Sequence, residues 1–223
     1  MAALARGVLS ASHLPRPSIS LIDFRLYFVT DRRQTAGRSL PDVVRAALDG
    51  GVRAVQLREK DLEGKALYQL AGQLRELTVR YQARLLVNDR VDVASAVEAD
   101  GVHLGQTSFP VAVARRLLGP GKLIGVSTHN PEEIAAAAGA DFLVFGPVYA
   151  TPSKAQYGEP QGLARLRQAV VQSPLPLLAI GGIAVEQVAD VLSTGAHGVA
   201  VISALSTAPD PARAASTLLA QLV

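Results

Sequence analysis

From Asp23 onward, short apolar runs alternate with Ala- and Leu-rich amphipathic segments in a beat of roughly 20 to 30 residues, the pattern of repeated βα units. The runs predict strands at Leu26–Thr30, Ala54–Arg58, Leu85–Asn88, Gly101–Leu104, Leu123–Val126, Phe142–Phe145, Leu177–Ile180 and Gly198–Ile202. Most are nearly continuous in apolar character, as expected of strands covered on both faces. The intervals predict helices at Leu40–Asp49, Gly64–Tyr81, Val91–Ala99, Pro110–Leu118, Pro131–Gly139, Gly162–Gln172, Val185–Ser193 and Pro211–Leu222. Pro110 and Pro131 suit helix starts, Asn130 is a good N-cap, and Gly139, Gly195 and Gly50-Gly51 fall where helices should stop.

Eight such units over 23–223, with no linker between them, predict a single-domain α/β (β/α)8 TIM barrel, with a doubly wound open sheet as the competing fold. Residues 1–22, with Arg6, Arg16, Pro15 and Pro17, read as an extension, disordered or capping. Their apolar stretch is too short for the core of a signal peptide.

Composition narrows the chemistry. The 223 residues include no cysteine, which removes disulfides, thiolate metal sites and cysteine nucleophiles and fits a cytoplasmic protein. The net charge of +3 is scattered among acids, so nucleic acid is a poor expectation as a partner. No apolar run reaches the roughly 18 residues of a membrane span. Small phosphorylated molecules are the expected partners, and a homo-oligomer stays open.

In a barrel, functional residues sit at the carboxyl ends of strands. Gln56, Arg58 and Lys60 alternate onto one side there, opposite Leu57 and Glu59, and two cations on one face suit phosphate oxygens. Taken alone, the pair also fits a strand running out into a solvated loop. Gly181-Gly182 and Ile202-Ser203 end strands seven and eight, where backbone N–H groups often hold phosphate, although two glycines also serve a tight turn. The loop from Gly146 to Gln161 is long for a βα connection and carries Thr151, Pro152, Ser153 and Lys154. Asp89, after Asn88, could hold Mg²⁺ with substrate oxygens, pair with Arg90, or cap the next helix.

Together, Gln56-Leu57-Arg58-Glu59-Lys60, Asn88-Asp89-Arg90-Val91-Asp92, Gly101 to Gln106, Gly125-Val126-Ser127-Thr128-His129, Gly146 to Tyr149, Thr151 to Lys154, Ile180 to Ile183 and Ile202-Ser203-Ala204 resemble the thiamine phosphate synthase and thiazole tautomerase superfamily, closer to the synthase. The resemblance runs from about Asp23 to Val223. It implies a transferase that joins hydroxymethylpyrimidine pyrophosphate to thiazole phosphate. It further implies that Gln56, Arg58, Lys60, Asn88, Ser127 and Lys154 grip the pyrimidine pyrophosphate, with Leu57 and Glu59 in the same contact run. Thr151, Pro152, Ser153, Gly181, Gly182, Ile202 and Ser203 would take the thiazole phosphate. Arg58, Lys60, Lys154, Ser127 and His129 are the implied catalytic residues.

Mg²⁺ is the implied cofactor, on Asp89 and Ser108. The synthase pattern has a second acid two residues after Gly105-Gln106, where this chain has Thr107-Ser108. That departure leaves two alternatives: a metal-free thiazole tautomerase using His129, or a non-catalytic binder of phosphorylated ligands. Retention of the Gln56–Lys60 run, Asn88-Asp89 and Lys154 favours pyrophosphate chemistry. His13, His103 and His197 read as structural.

Overall fold

Each of eight short parallel strands pairs with the next and the last returns to the first, closing the sheet, in the computed structural model, which describes residues 22–151 and 159–222. The strands are β1 (Leu26–Val29), β2 (Ala54–Leu57), β3 (Arg84–Asn88), β4 (Gly101–Leu104), β5 (Leu123–Thr128), β6 (Phe142–Phe145), β7 (Leu177–Ile180) and β8 (Gly198–Val201). Closure rests on the β1–β8 pairing, Leu26 with Val199 through Phe28 with Val201. This excludes the open sheet.

The helices between them are α1 (Leu40–Asp49), α2 (Gly64–Arg80), α3 (Val91–Ala96), α4 (Val111–Leu118), α5 (Pro131–Ala136), α6 (Gly162–Gln172), α7 (Val188–Leu192), α8 (Ser203–Ser206) and α9 (Pro211–Ala220). Local chemistry explains several starts. The Ser39, Asn130 and Asp210 side chains each accept a backbone N–H of the first turn of α1, α5 and α9. Pro110 instead occupies the N-cap of α4, one position earlier than expected. α3 stops at Ala96, three residues short, and Glu98 just beyond takes a left-handed φ of 53°. α5 ends before Gly139, and the expected seventh helix divides into a 3-10 turn, Val185–Gln187, and α7. α8, directly after β8, has no counterpart in the apolar pattern.

Strand alternation sorts the core into two layers. Val55 and Leu57 of β2, Val102 and Leu104 of β4 and Leu143 and Phe145 of β6 face outward into the large cluster beneath the helices. Tyr27, Val29, Ala54, Leu86, Phe142, Val144, Leu178 and Ala200 fill the interior, with Ile22 and Phe24 below them. Ile22 is therefore core, one residue before the expected domain start. The rest of the N-terminal segment, 1–21, lies outside the described residues. The interior is tight enough that Gly125 must lack a side chain: a Cβ there would lie 2.4 Å from Phe142 Cζ and 2.6 Å from His103 Nδ1. This packed floor closes the barrel interior beneath the carboxyl-end mouth.

Candidate active site

The mouth holds a cavity of about 880 Å³, counting the part open to solvent. Gln56, Arg58, Asn88, Ser127, His129, Thr151, Gly181, Gly182, Ile202 and Ser203 all line it. Residues from six strand ends, far apart in sequence from Gln56 to Ser203, thus converge on one hollow. Pro152, Ser153 and Lys154 lie outside the described residues.

Two expectations about the β2 end need correction. Leu57 is fully buried in the layer beneath the helices, so its side chain is scaffold. Arg58 and Lys60 do not share one hollow. β2 ends at Leu57 and Lys60 sits in a turn, so strand alternation no longer governs it. Lys60 lines a neighbouring crevice with Asp89, Arg90 and Thr107, and Asn88 borders both spaces. Glu59 borders the same crevice, with its carboxylate turned to protein partners. Its buried carboxylate accepts the Thr30 hydroxyl at 2.7 Å and the Arg32 backbone N–H at 3.0 and 3.1 Å.

The floor of the cavity is polar but ordered. Gln56 Nε2 donates to Tyr27 Oη at 3.2 Å, and His103 Nε2 lies 2.9 Å from Ser127 Oγ. Burial pushes the His103 imidazolium down to about 3, so the ring is neutral at physiological pH. Its Nδ1 has no hydrogen-bond partner among the described residues. Its place in a strand predicts a packing residue at His103. It does pack against Tyr27 and Phe142, but it also lines the cavity and orients Ser127. The available signal was register: His103 lies opposite Asn88 on one side and Gly125 on the other, both inward-facing.

A neutral buried histidine makes a stability prediction. The unfolded chain takes up a proton near the ordinary histidine value while the folded chain resists until about 3, so stability is lost as pH falls. Burial shifts His197 in the same direction. Urea unfolding at pH 7 and pH 5 should differ by about 2 kcal/mol from His103 alone, with the acid sample weaker. Equal stability at the two values would contradict the buried neutral ring.

Glu133, one helical turn into α5, holds His129 from two directions: its Oε2 accepts the His129 backbone N–H at 2.7 Å and lies 2.8 Å from Nδ1. That leaves Nε2 as the nitrogen available for proton transfer. Across the mouth, Gly181 and Gly182 adopt φ of 102° and 64°. A Cβ on either would come within 2.6 Å of the loop after β6, at Pro147 or Ala150. Glycine there lets the two loops close together beside the backbone N–H groups of Gly181, Gly182 and Ser203.

Asp89 takes a left-handed φ of 61°, a conformation that asparagine and aspartate tolerate best. Its Oδ1 accepts the Ser108 hydroxyl and its Oδ2 accepts Asn88 Nδ2 at 2.8 Å. The Ser108 hydroxyl in turn accepts the Gly105 N–H at 2.6 Å. α3 has no side-chain cap, so capping is not what Asp89 does. Among the described residues no group of three or more His, Cys, Asp or Glu could cage a metal. One carboxylate beside a hydroxyl does fit a hard cation that keeps waters and uses ligand oxygens.

The model of the thiamine monophosphate synthase family matches residues 26–205. A protein of Geobacter sulfurreducens is 55% identical over 203 residues, covering 90% of this chain and 95% of the relative. The thiamine-phosphate synthase of Clostridium novyi is 43% identical, covering 88% of this chain and 98% of that protein. Among solved structures, a thiamine phosphate pyrophosphorylase from Pyrococcus furiosus aligns with a TM-score of 0.81 and 40% identity, over 91% of this chain and 96% of that one.

Proposed function

We propose that this chain, which belongs to the thiamine monophosphate synthase family, joins hydroxymethylpyrimidine pyrophosphate to thiazole phosphate, giving thiamine phosphate and pyrophosphate. The observation that carries this reading is the convergence of Arg58, Asn88 and Ser127 with Gly181, Gly182 and Ser203 on opposite sides of one mouth. Two anion-binding regions in one cavity match a reaction between two phosphorylated partners.

In that reaction the bond from the pyrimidine methylene carbon to the pyrophosphate oxygen breaks, and the electron pair leaves with pyrophosphate. The thiazole nitrogen then donates its lone pair to the methylene carbon. Stabilising the leaving charge is the main task, because the pyrimidine ring itself supports the carbocation. Arg58 offers a planar fork of donors to pyrophosphate, Asn88 and Lys154 add to the grip, and Lys60 reaches the same group from the neighbouring crevice that Asn88 also borders. Gln56 and Ser127, held by Tyr27 and His103, orient the pyrimidine. Thr151, Pro152 and Ser153, with the Gly181-Gly182 turn and Ile202-Ser203, take the thiazole phosphate. Asp89 and Ser108 would hold Mg²⁺, which when bound neutralises pyrophosphate charge.

Ser108→Asp would place a second carboxylate beside Asp89. The Mg²⁺ concentration giving half-maximal rate should fall roughly tenfold, since affinity for hard cations rises with ligand charge. An unchanged metal requirement, read from initial rates, would remove Ser108 from the metal site.

The tautomerase reading draws on the His129–Glu133 pair, which is suited to proton transfer. Isomerisation of a thiazole carboxylate phosphate in metal-free buffer would support it. No helix among the described residues is long and apolar enough to cross a membrane, and small biosynthetic substrates fit a cytoplasmic enzyme.

A further inference from the structure

Glu59 lies in sequence between the two cations of the β2 loop, and a carboxylate there would oppose an anionic ligand unless its charge were answered. Its side chain is only 2% exposed, so water does little to screen it. The answer is Arg32, whose Nη1 lies 3.2 Å from Glu59 Oε2 while its backbone N–H reaches both carboxylate oxygens. Arg32 is itself held by Asp61, through a fork at 2.6 and 2.9 Å. That contact draws the Asp61 carboxyl down to about 2, so the anchor stays ionised across the neutral range.

The same carboxylate is wired to the Arg58 backbone. Thr30, fully buried at the end of β1, donates its hydroxyl to Glu59 Oε1 and accepts the Arg58 N–H at 3.0 Å. Its own N–H donates to the Gln56 carbonyl at 2.9 Å. One threonine thus ties the loop after β1 to both sides of Leu57.

We propose that Glu59, Thr30 and Arg32 form a latch that fixes the backbone from which Arg58 and Lys60 reach a pyrophosphate group, with Arg32, shared between Glu59 and Asp61, offsetting part of the Glu59 charge so that it repels that group less. Glu59 and Arg32 are positioning residues and touch no substrate. The latch rests on the pyrophosphate reading, but its test needs no turnover.

The test is calorimetric titration of inorganic pyrophosphate with Mg²⁺ into the wild-type protein, Arg32→Ala, Glu59→Gln and the double variant, with thermal melting as the check on folding. Arg32→Ala strips the cation from a buried carboxylate and should weaken pyrophosphate binding on the order of tenfold. Adding Glu59→Gln removes the uncompensated buried charge while keeping a side-chain oxygen for Thr30. The double variant should return to within about threefold of wild type. A double variant as weak as Arg32→Ala would overturn the latch, because it would mean that Arg32 attracts the ligand itself. Should Arg32→Ala fail to fold, the double variant against wild type decides on the same threefold limit. Failure of the wild type to bind pyrophosphate would instead overturn the functional reading, and the purpose of the latch with it.

Discussion

Arg58→Ala is expected to lower the rate of thiamine phosphate formation on the order of 10²- to 10³-fold, the cost of losing one preorganised donor from a leaving-group site. The effect should fall on kcat, because the departing pyrophosphate gathers charge as the bond breaks and the bound substrate needs the guanidinium less than the transition state does. Stability should change little. Arg58 is only partly buried, and its backbone N–H, which makes the bond to Thr30, survives the substitution. A fall confined to KM would show that Arg58 binds substrate and transition state alike. A wild-type rate would remove it from the site.

Asp89→Asn should be nearly as damaging, on the order of 10²-fold in the Mg²⁺-supported rate. The substitution is informative because so much is preserved. Asparagine tolerates the left-handed φ of 61° that Asp89 adopts. Its carbonyl oxygen can still accept the Ser108 hydroxyl that Asp89 Oδ1 accepts. The charge is lost, and with it the second oxygen that accepts Asn88 Nδ2. A folded variant with wild-type activity and an unchanged Mg²⁺ requirement would show that the carboxylate does not serve a metal.

The barrel was legible in the chain because its strands are covered on both faces and so appear as continuous apolar runs, with helix caps such as Asn130 and glycine stops between them. The site was legible by position: once the strands were placed, polar residues at their carboxyl ends had one place to meet. What stayed hidden depends on where alternation ceases. Gln56 and Arg58 follow strand parity into the cavity, but Lys60 lies past the end of β2 in a turn, and its direction is set by backbone conformation.

Pairings across the sheet were hidden for another reason. Glu59 stands in the run that the resemblance assigns to ligand contact, and nothing local shows that Thr30 and Arg32, nearly 30 positions earlier, enclose it. Glu133 was closer to hand, since its spacing from Asn130 is that of a capping partner, yet its grip on His129 appears only once α5 and the loop before it are folded. His103 gave the reverse lesson. Packing was the right reading of its burial and an incomplete account of its ring, whose Nε2 reaches Ser127.

The most direct test of the central claim is a phosphorus-resolved product assay: purified protein with hydroxymethylpyrimidine pyrophosphate and thiazole phosphate, and Mg²⁺ titrated from zero to millimolar. The account predicts that thiamine phosphate and pyrophosphate appear one for one, and only with metal present. A folded protein that forms neither at any Mg²⁺ concentration would contradict it.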